Sequence, residues 1–236
     1  MKKIVAFAGF SLLAVGAFAQ TNLQVFYDFG ENRKYVTTTL EMFKADDWGN
    51  TFFFVDYNYT NKDQYDLGAR GATGTYMEIE RGLNFWQESS LADLSAHVEF
   101  QAGIGFRNWL FGAQYFLHNA DFSNTLTLYA MYKTFSYDNA SDLPVQLSAV
   151  WGMQDLFGVE GLRFSGFADF WGEKALWNAG ADETKFKFLS EPQLWYNAGK
   201  FFNCPNFNVG GEVELSYNFV DKGFVCNPCL GVKWNF

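Results

Sequence analysis

Histidine and cysteine are scarce in this chain, with two of the first and three of the second in 236 residues. An odd cysteine count does not build a paired disulfide framework. Cys226 and Cys229 form a C-x-x-C, but neither a second such pair nor a nearby histidine completes a zinc set, so no metal site and no cofactor are expected. Residues three apart on a regular strand face opposite ways, so these two can bond only if Asn227-Pro228 breaks the strand. Basic residues are outnumbered, 17 Lys and Arg against 26 Asp and Glu, for a net charge of −9. A nucleic acid polymer or a polyanionic lipid surface requires a basic footprint that is missing here. Proline is rare, at four residues, and no long stretch carries a helical period. Beyond residue 19 there is no apolar run of the roughly 20 residues a membrane helix needs.

The amino end is different. Lys2 and Lys3 precede an apolar run over 4–15, and Ala17-Phe18-Ala19 is an Ala-x-Ala cleavage pattern before Gln20. These residues read as a signal peptide over 1–19, with export by the Sec route. The remaining 20–236 show no shift of composition that would mark a second domain. The run of 4–15 is too short to remain as an anchor.

Aromatic residues are abundant, at 20% of the chain, and most sit in alternating segments. Counting back from the end, Phe236, Trp234, Val232, Leu230, Pro228, Cys226 and Phe224 share one parity, while Lys233, Gly231, Cys229 and Asn227 share the other. A strand sends alternate side chains to opposite faces, which gives this one an apolar face and a small or polar one. The same alternation recurs over 75–85, 94–106, 145–153 and 207–219, with turn chemistry between segments. About 12 strands follow, the even count expected of a bacterial single-chain barrel. The fold class is all-β: a single up-and-down antiparallel transmembrane β-barrel. Its longest connections, 60–74 and 171–183, then fall on one side, taken as the external one. Trp48, Trp86, Trp109, Trp151, Trp171, Trp195 and Trp234 lie near the expected strand ends, where an interfacial belt needs amphipathic rings. This pattern puts the protein in the bacterial outer membrane, against lipid, with the barrel-assembly machinery reading Trp234 and Phe236.

The inward parity collects Asp56, Glu78, Glu80, Glu99, Asp169, Glu191, Glu212 and Glu214 with Lys133, Arg163, Lys187 and Lys233, so acid exceeds base by four. Two readings of this face stay open. A conducting lumen would favour small neutral or cationic solutes over anions. An ion-paired, plugged lumen would make a structural or adhesive barrel that does not conduct. Inward rings such as Phe54, Tyr76, Tyr129 and Phe167 offer stacking faces or simply fill space. Ser95, His97 and Glu99 have the residue types of a hydrolase. Residues two apart on one strand stand roughly 7 Å apart, beyond direct proton transfer, and no enzyme is expected.

Three segments carry a family resemblance. Residues 35–48 read Y-V-T-T-T-L-E-M-F-K-A-D-D-W, residues 76–81 read Y-M-E-I-E-R, and residues 162–172 read L-R-F-S-G-F-A-D-F-W-G. Each resembles a segment of the Tsx-type nucleoside-specific outer-membrane channels, and the chain also resembles a family of unknown function grouped with them. The resemblance implies a twelve-stranded monomeric barrel that passes nucleosides passively. It adds Glu41 to the lumen residues and supports Glu78, Glu80, Phe167 and Asp169. The candidate lumen set is Glu41, Phe54, Asp56, Tyr76, Glu78, Glu80, Glu99, Arg163, Phe167 and Asp169.

Overall fold

Alternating sequence becomes alternating environment, most plainly along residues 20–28, 94–103 and 106–118. The computed structural model describes residues 20–31, 33–60, 71–136, 140 and 142–236. The expected signal peptide, 1–19, and most of the third connection, 61–70, lie outside the described residues.

Thirteen strand segments follow in order: β1 Gln20–Asp28, β2 Val36–Asp46, β3 Gly49–Thr60, β4 Gly71–Leu83, β5 Leu94–Gly103, β6 Phe106–His118, β7 Asn124–Lys133, β8 Val145–Met153, β9 Leu162–Trp177, β10 Asp182–Ser190, β11 Gln193–Tyr196, β12 Phe207–Tyr217 and β13 Phe224–Asn235. Neighbours pair antiparallel, and β1 pairs with β13 from Asn22↔Asn235 to Asp28↔Cys229, which closes the sheet. β10 and β11 both pair with β9 on one side and β12 on the other, so they share one position. The result is a closed twelve-stranded up-and-down barrel.

Closure removes the exposed edges that an open sheet would present. It also sorts the side chains. Leu23, Val25, Leu40, Ile79, Leu128, Leu147, Phe170, Leu230 and Val232 point outward and are exposed, while Gln24, Ser95, His97, Glu99, Gln101, Gln114, Lys133, Gln146, Glu214 and Asn227 point inward and are buried. A water-soluble protein has the opposite arrangement. Stable burial of this apolar exterior requires lipid around it.

The tenth position breaks because Pro192 has no N–H to give the ladder. The Glu191 N–H donates to the Phe167 carbonyl, and the Pro192 carbonyl accepts from Val213 N. Opposite the break, Gly166 adopts φ +149°, and a Cβ there would come within 2.4 Å of the Glu191 carbonyl oxygen. Only glycine fits that approach.

Several expectations are corrected. Residues 171–183 are not a long loop: β9 runs on to Trp177, and the hairpin over 178–181 is short. Thr60 and Gly71–Gly74 likewise belong to strands. The segment expected over 94–106 ends at Gly103, and Phe106 already belongs to β6 after a turn at 104–105. Trp48, Trp86, Trp109 and Trp234 are exposed on the outside, as a belt requires, but Trp171 and Trp195 are buried inside. Both fall on the inward parity of their strands, and parity outweighs nearness to a strand end.

Trp195 shows how the inner wall is packed. It lies across β12 and β13, where Gly210 pairs with Gly231, and meets Phe26 on β1 at a ring separation of 5.5 Å. A Cβ on Gly231 would stand 2.6 Å from the Phe26 ring, and one on Gly210 would stand 2.8 Å from the Trp195 ring. Two absent side chains make a shelf for two large rings. The indole Nε1–H donates to Gln193 Oε1 at 2.9 Å, and the Lys233 amine sits 4.2 Å above the ring.

Candidate lumen site

The inner wall carries two polar assemblies. On β2 and β3, Glu41 pairs with Phe54 and Thr39 with Asp56. Asn22 Nδ2 donates to Glu41 Oε1 at 3.0 Å and Gln24 Nε2 to Glu41 Oε2 at 3.3 Å, while the Thr39 hydroxyl donates to Asp56 at 2.5 Å. On β4 and β5, Glu78 pairs with Gln101 and Glu80 with Glu99. Tyr76 donates its hydroxyl to Glu78 Oε1, and Gln101 Nε2 donates to Glu78 Oε1 at 3.1 Å and to Glu99 Oε1 at 2.6 Å. Glu41, Asp56, Glu78 and Glu99 thus each accept from a neutral amide or hydroxyl donor.

Rings link the two assemblies. Phe54 meets Tyr76 at 5.7 Å, and Tyr76 meets Phe106 at 6.0 Å. β9 supplies the remaining candidates: Phe167 pairs with Val150, Asp169 with Ser148, and Arg163 with Trp195. Asp169 lies within electrostatic reach of Glu78, Glu80 and Glu99 across the lumen, and Arg163 within reach of Glu41. The ten candidates therefore all face inward. Tyr76, Glu78, Glu80, Glu99 and Asp169 converge, Glu41, Phe54 and Asp56 line the adjoining wall, and Arg163 stands on the Glu41 side. Val150 also faces inward by register yet is 40% exposed, so the barrel holds free space at its level.

One cation enters from a loop. Arg33, between β1 and β2, places its guanidinium 2.6 Å from Glu214 and 3.2 Å from Asp28, at the end of the barrel away from the termini. Burial works against its charge, but Glu214 and Asp28 outweigh it and hold its pKa above the ordinary value. The sequence offers no signal for this contact, because loop residues have no parity. Lys187 pairs with Glu173 at 2.9 Å, and Lys133 donates to Gln146 at 2.9 Å.

The Ser95, His97 and Glu99 expectation also changes. His97 Nε2 is 3.3 Å from Glu99 Oε2, because long side chains lean together although their backbones are spaced widely. Among the described residues, the Ser95 hydroxyl has no hydrogen-bond partner.

Residues 19–236 match the family model described as a domain of unknown function, DUF5020. The chain belongs to that family. No curated protein matches the DUF5020 chain in sequence. Among solved structures it is similar to the KdgM porin, with 11% identity, 92% of this chain and 99% of that one covered, and a TM-score of 0.52. It is also similar to the COG4313 outer-membrane channel from Pseudomonas putida F1, with 13% identity, 99% and 100% covered, and a TM-score of 0.52. A third structure holds the KdgM porin in complex with disordered oligogalacturonate, at 10% identity, 92% and 99% covered, and a TM-score of 0.51. At such identities the likeness is one of fold, and it is a fold of outer-membrane barrels. The DUF5020 match carries no activity, and nucleoside transport is a finer statement than any of these similarities makes.

Proposed function

We propose that the protein is an outer-membrane channel for passive diffusion of small neutral or cationic hydrophilic solutes. The observation that carries this reading is the inverted barrel: an apolar exposed exterior around an interior rich in carboxylates. Such an interior raises the local concentration of cations and opposes anions. A polyanion like the oligogalacturonate held by KdgM meets an unfavourable field here. The resemblance to Tsx-type channels suggests nucleosides as one class of cargo. Phe54, Tyr76 and Phe167 offer faces for a base, and Glu78, Glu80 and Asp169 accept hydrogen bonds from a sugar.

The test is conductance in planar bilayers under a salt gradient. A small ohmic conductance with a reversal potential on the cation side is the expected result. Replacing Glu78→Gln and Glu80→Gln together should move the reversal potential toward zero. Liposome swelling with nucleosides, sugars and amino acids then ranks the solutes.

A second reading is a barrel filled by its own side chains, which serves structure or adhesion. The near-complete burial of Gln24, Ser95, Gln114, Gln146 and Ser216 favours it. Absence of conductance from a barrel that migrates as folded protein would decide for that reading.

A further inference from the structure

We infer that Glu80, His97 and Glu99 form a binding site for one borderline-soft divalent metal ion on the inner wall of the barrel. The inference goes beyond transport and does not depend on whether the barrel conducts. One oxygen of each carboxylate and one nitrogen of the imidazole lie within 4.8 Å of one another. His97 Nε2 is 3.3 Å from Glu99 Oε2 and 3.9 Å from Glu80 Oε2. Two ligands about 2.1 Å from a tetrahedral zinc ion stand roughly 3.4 Å apart. The Glu99 distance already matches, and the Glu80 carboxylate needs only a small rotation.

The surroundings are those of a ligand set. Glu80 and Glu99 are directly opposite across β4 and β5, and His97 pairs with Gly82. A Cβ on Gly82 would lie 2.8 Å from the Gln114 amide, so glycine there lets Gln114 reach in from β6. Gln114 Oε1 lies 2.9 Å from His97 Nδ1. An amide oxygen only accepts, which puts the ring hydrogen on Nδ1 and leaves the Nε2 lone pair directed at two carboxylates. Histidine ligands are oriented in this way by a donor bond from the second nitrogen. Gln101 likewise holds Glu99 Oε1 and leaves Oε2 for the ion.

A cation at the same point would pair both carboxylates. Among the described residues, the only ion pairs of Glu80 and Glu99 are those with His97. The Lys133 amine is held by Gln146 and by the face of Trp171 at 4.6 Å. A carboxylate that stays charged when buried is paired or coordinates a metal. A single proton on Nε2 would serve Glu99 at 3.3 Å and leave Glu80 distant, whereas a dication serves both. The 15% exposure of the Glu80 side chain gives access from the lumen. One nitrogen and two oxygens suit zinc or nickel, while magnesium and calcium take oxygen ligands in larger number.

The test uses tag-free, full-length barrel folded in detergent and zinc as the probe, by equilibrium dialysis at neutral pH. One saturable zinc per barrel is expected, with no comparable binding of magnesium. His97→Gln should abolish the site, and Gln114→Leu should weaken it by about 10- to 100-fold. His118→Gln should leave it unchanged, since His118 is the other histidine and stacks on Phe122 in the 119–123 turn. Because a variant can fail to fold, the two imidazole NMR signals of the unmodified protein give an independent reading. Zinc should move the His97 signal and spare that of His118. No saturable binding up to about 1 mM zinc, binding that survives His97→Gln, or an unmoved His97 signal overturns the inference.

Discussion

Replacing Arg33 by methionine removes an ion pair between a loop and the inner wall. The guanidinium is 20% exposed and neutralises Asp28 and Glu214, whose side chains are 3% and 9% exposed. Removing one partner of a fully buried pair costs about 3–5 kcal/mol, because the other charge is left without compensation. Two features lower that figure here. Arg33 keeps some contact with water, and each carboxylate retains a neutral donor: Gly30 N–H to Asp28 at 2.7 Å and Asn227 Nδ2 to Glu214 at 3.1 Å. The expected loss is therefore roughly 2–3 kcal/mol. It is read as a shift in the urea midpoint of the barrel in lipid vesicles, followed by tryptophan fluorescence. Adding Glu214→Gln removes one orphaned charge, so the double variant should be more stable than the sum of the two single losses by about 1 kcal/mol or more. An Arg33→Met variant within about 0.5 kcal/mol of the parent, or strictly additive losses, would refute the assignment of Arg33 as the internal counter-ion.

Three further outcomes are expected. Glu78→Gln with Glu80→Gln should reduce cation preference in a salt-gradient reversal potential, and an unchanged potential would remove these residues from the conduction path. Gly231→Val should destabilise the barrel by about 1–3 kcal/mol through overpacking against Phe26. Phe26→Ala in the same chain should recover part of that loss in urea, and no recovery would mean that the shelf is not what Gly231 provides. In the 119–123 turn, Asp121 Oδ1 accepts from the Ser123 N–H at 3.1 Å and hydroxyl at 2.8 Å, and these bonds hold its pKa below the ordinary 3.8. Its contribution is present above the unfolded value and is lost as pH falls through the lowered folded one. The difference in thermal midpoint between the parent and Asp121→Ala should therefore close only on the acid side of the ordinary carboxylate range, and closure near neutrality would contradict the turn geometry.

The sequence alone determined which residues share a face. A period of two is local, so the parity of β13, β5 or β9 can be counted without knowing any partner, and Glu78, Glu99, Asp169 and Lys233 fall on the inner side by counting. The tryptophans near strand ends show where a local cue was over-read. Trp171 and Trp195 carry inward parity, and the rings lie over the lumen wall rather than at the membrane surface.

Only the tertiary structure decided what meets what. The pairing of Glu80 with Glu99, the reach of Gln114 over Gly82 to His97, and the seat of Trp195 on Gly210 and Gly231 all depend on the register between neighbouring strands. The entry of Arg33 depends on how a loop folds back, which no periodicity encodes. Alternation along one strand is written in neighbouring residues, whereas register and loop return are set by the closure of the whole sheet. The chain therefore announces a polar interior by itself, and the folded barrel chooses which polar groups touch.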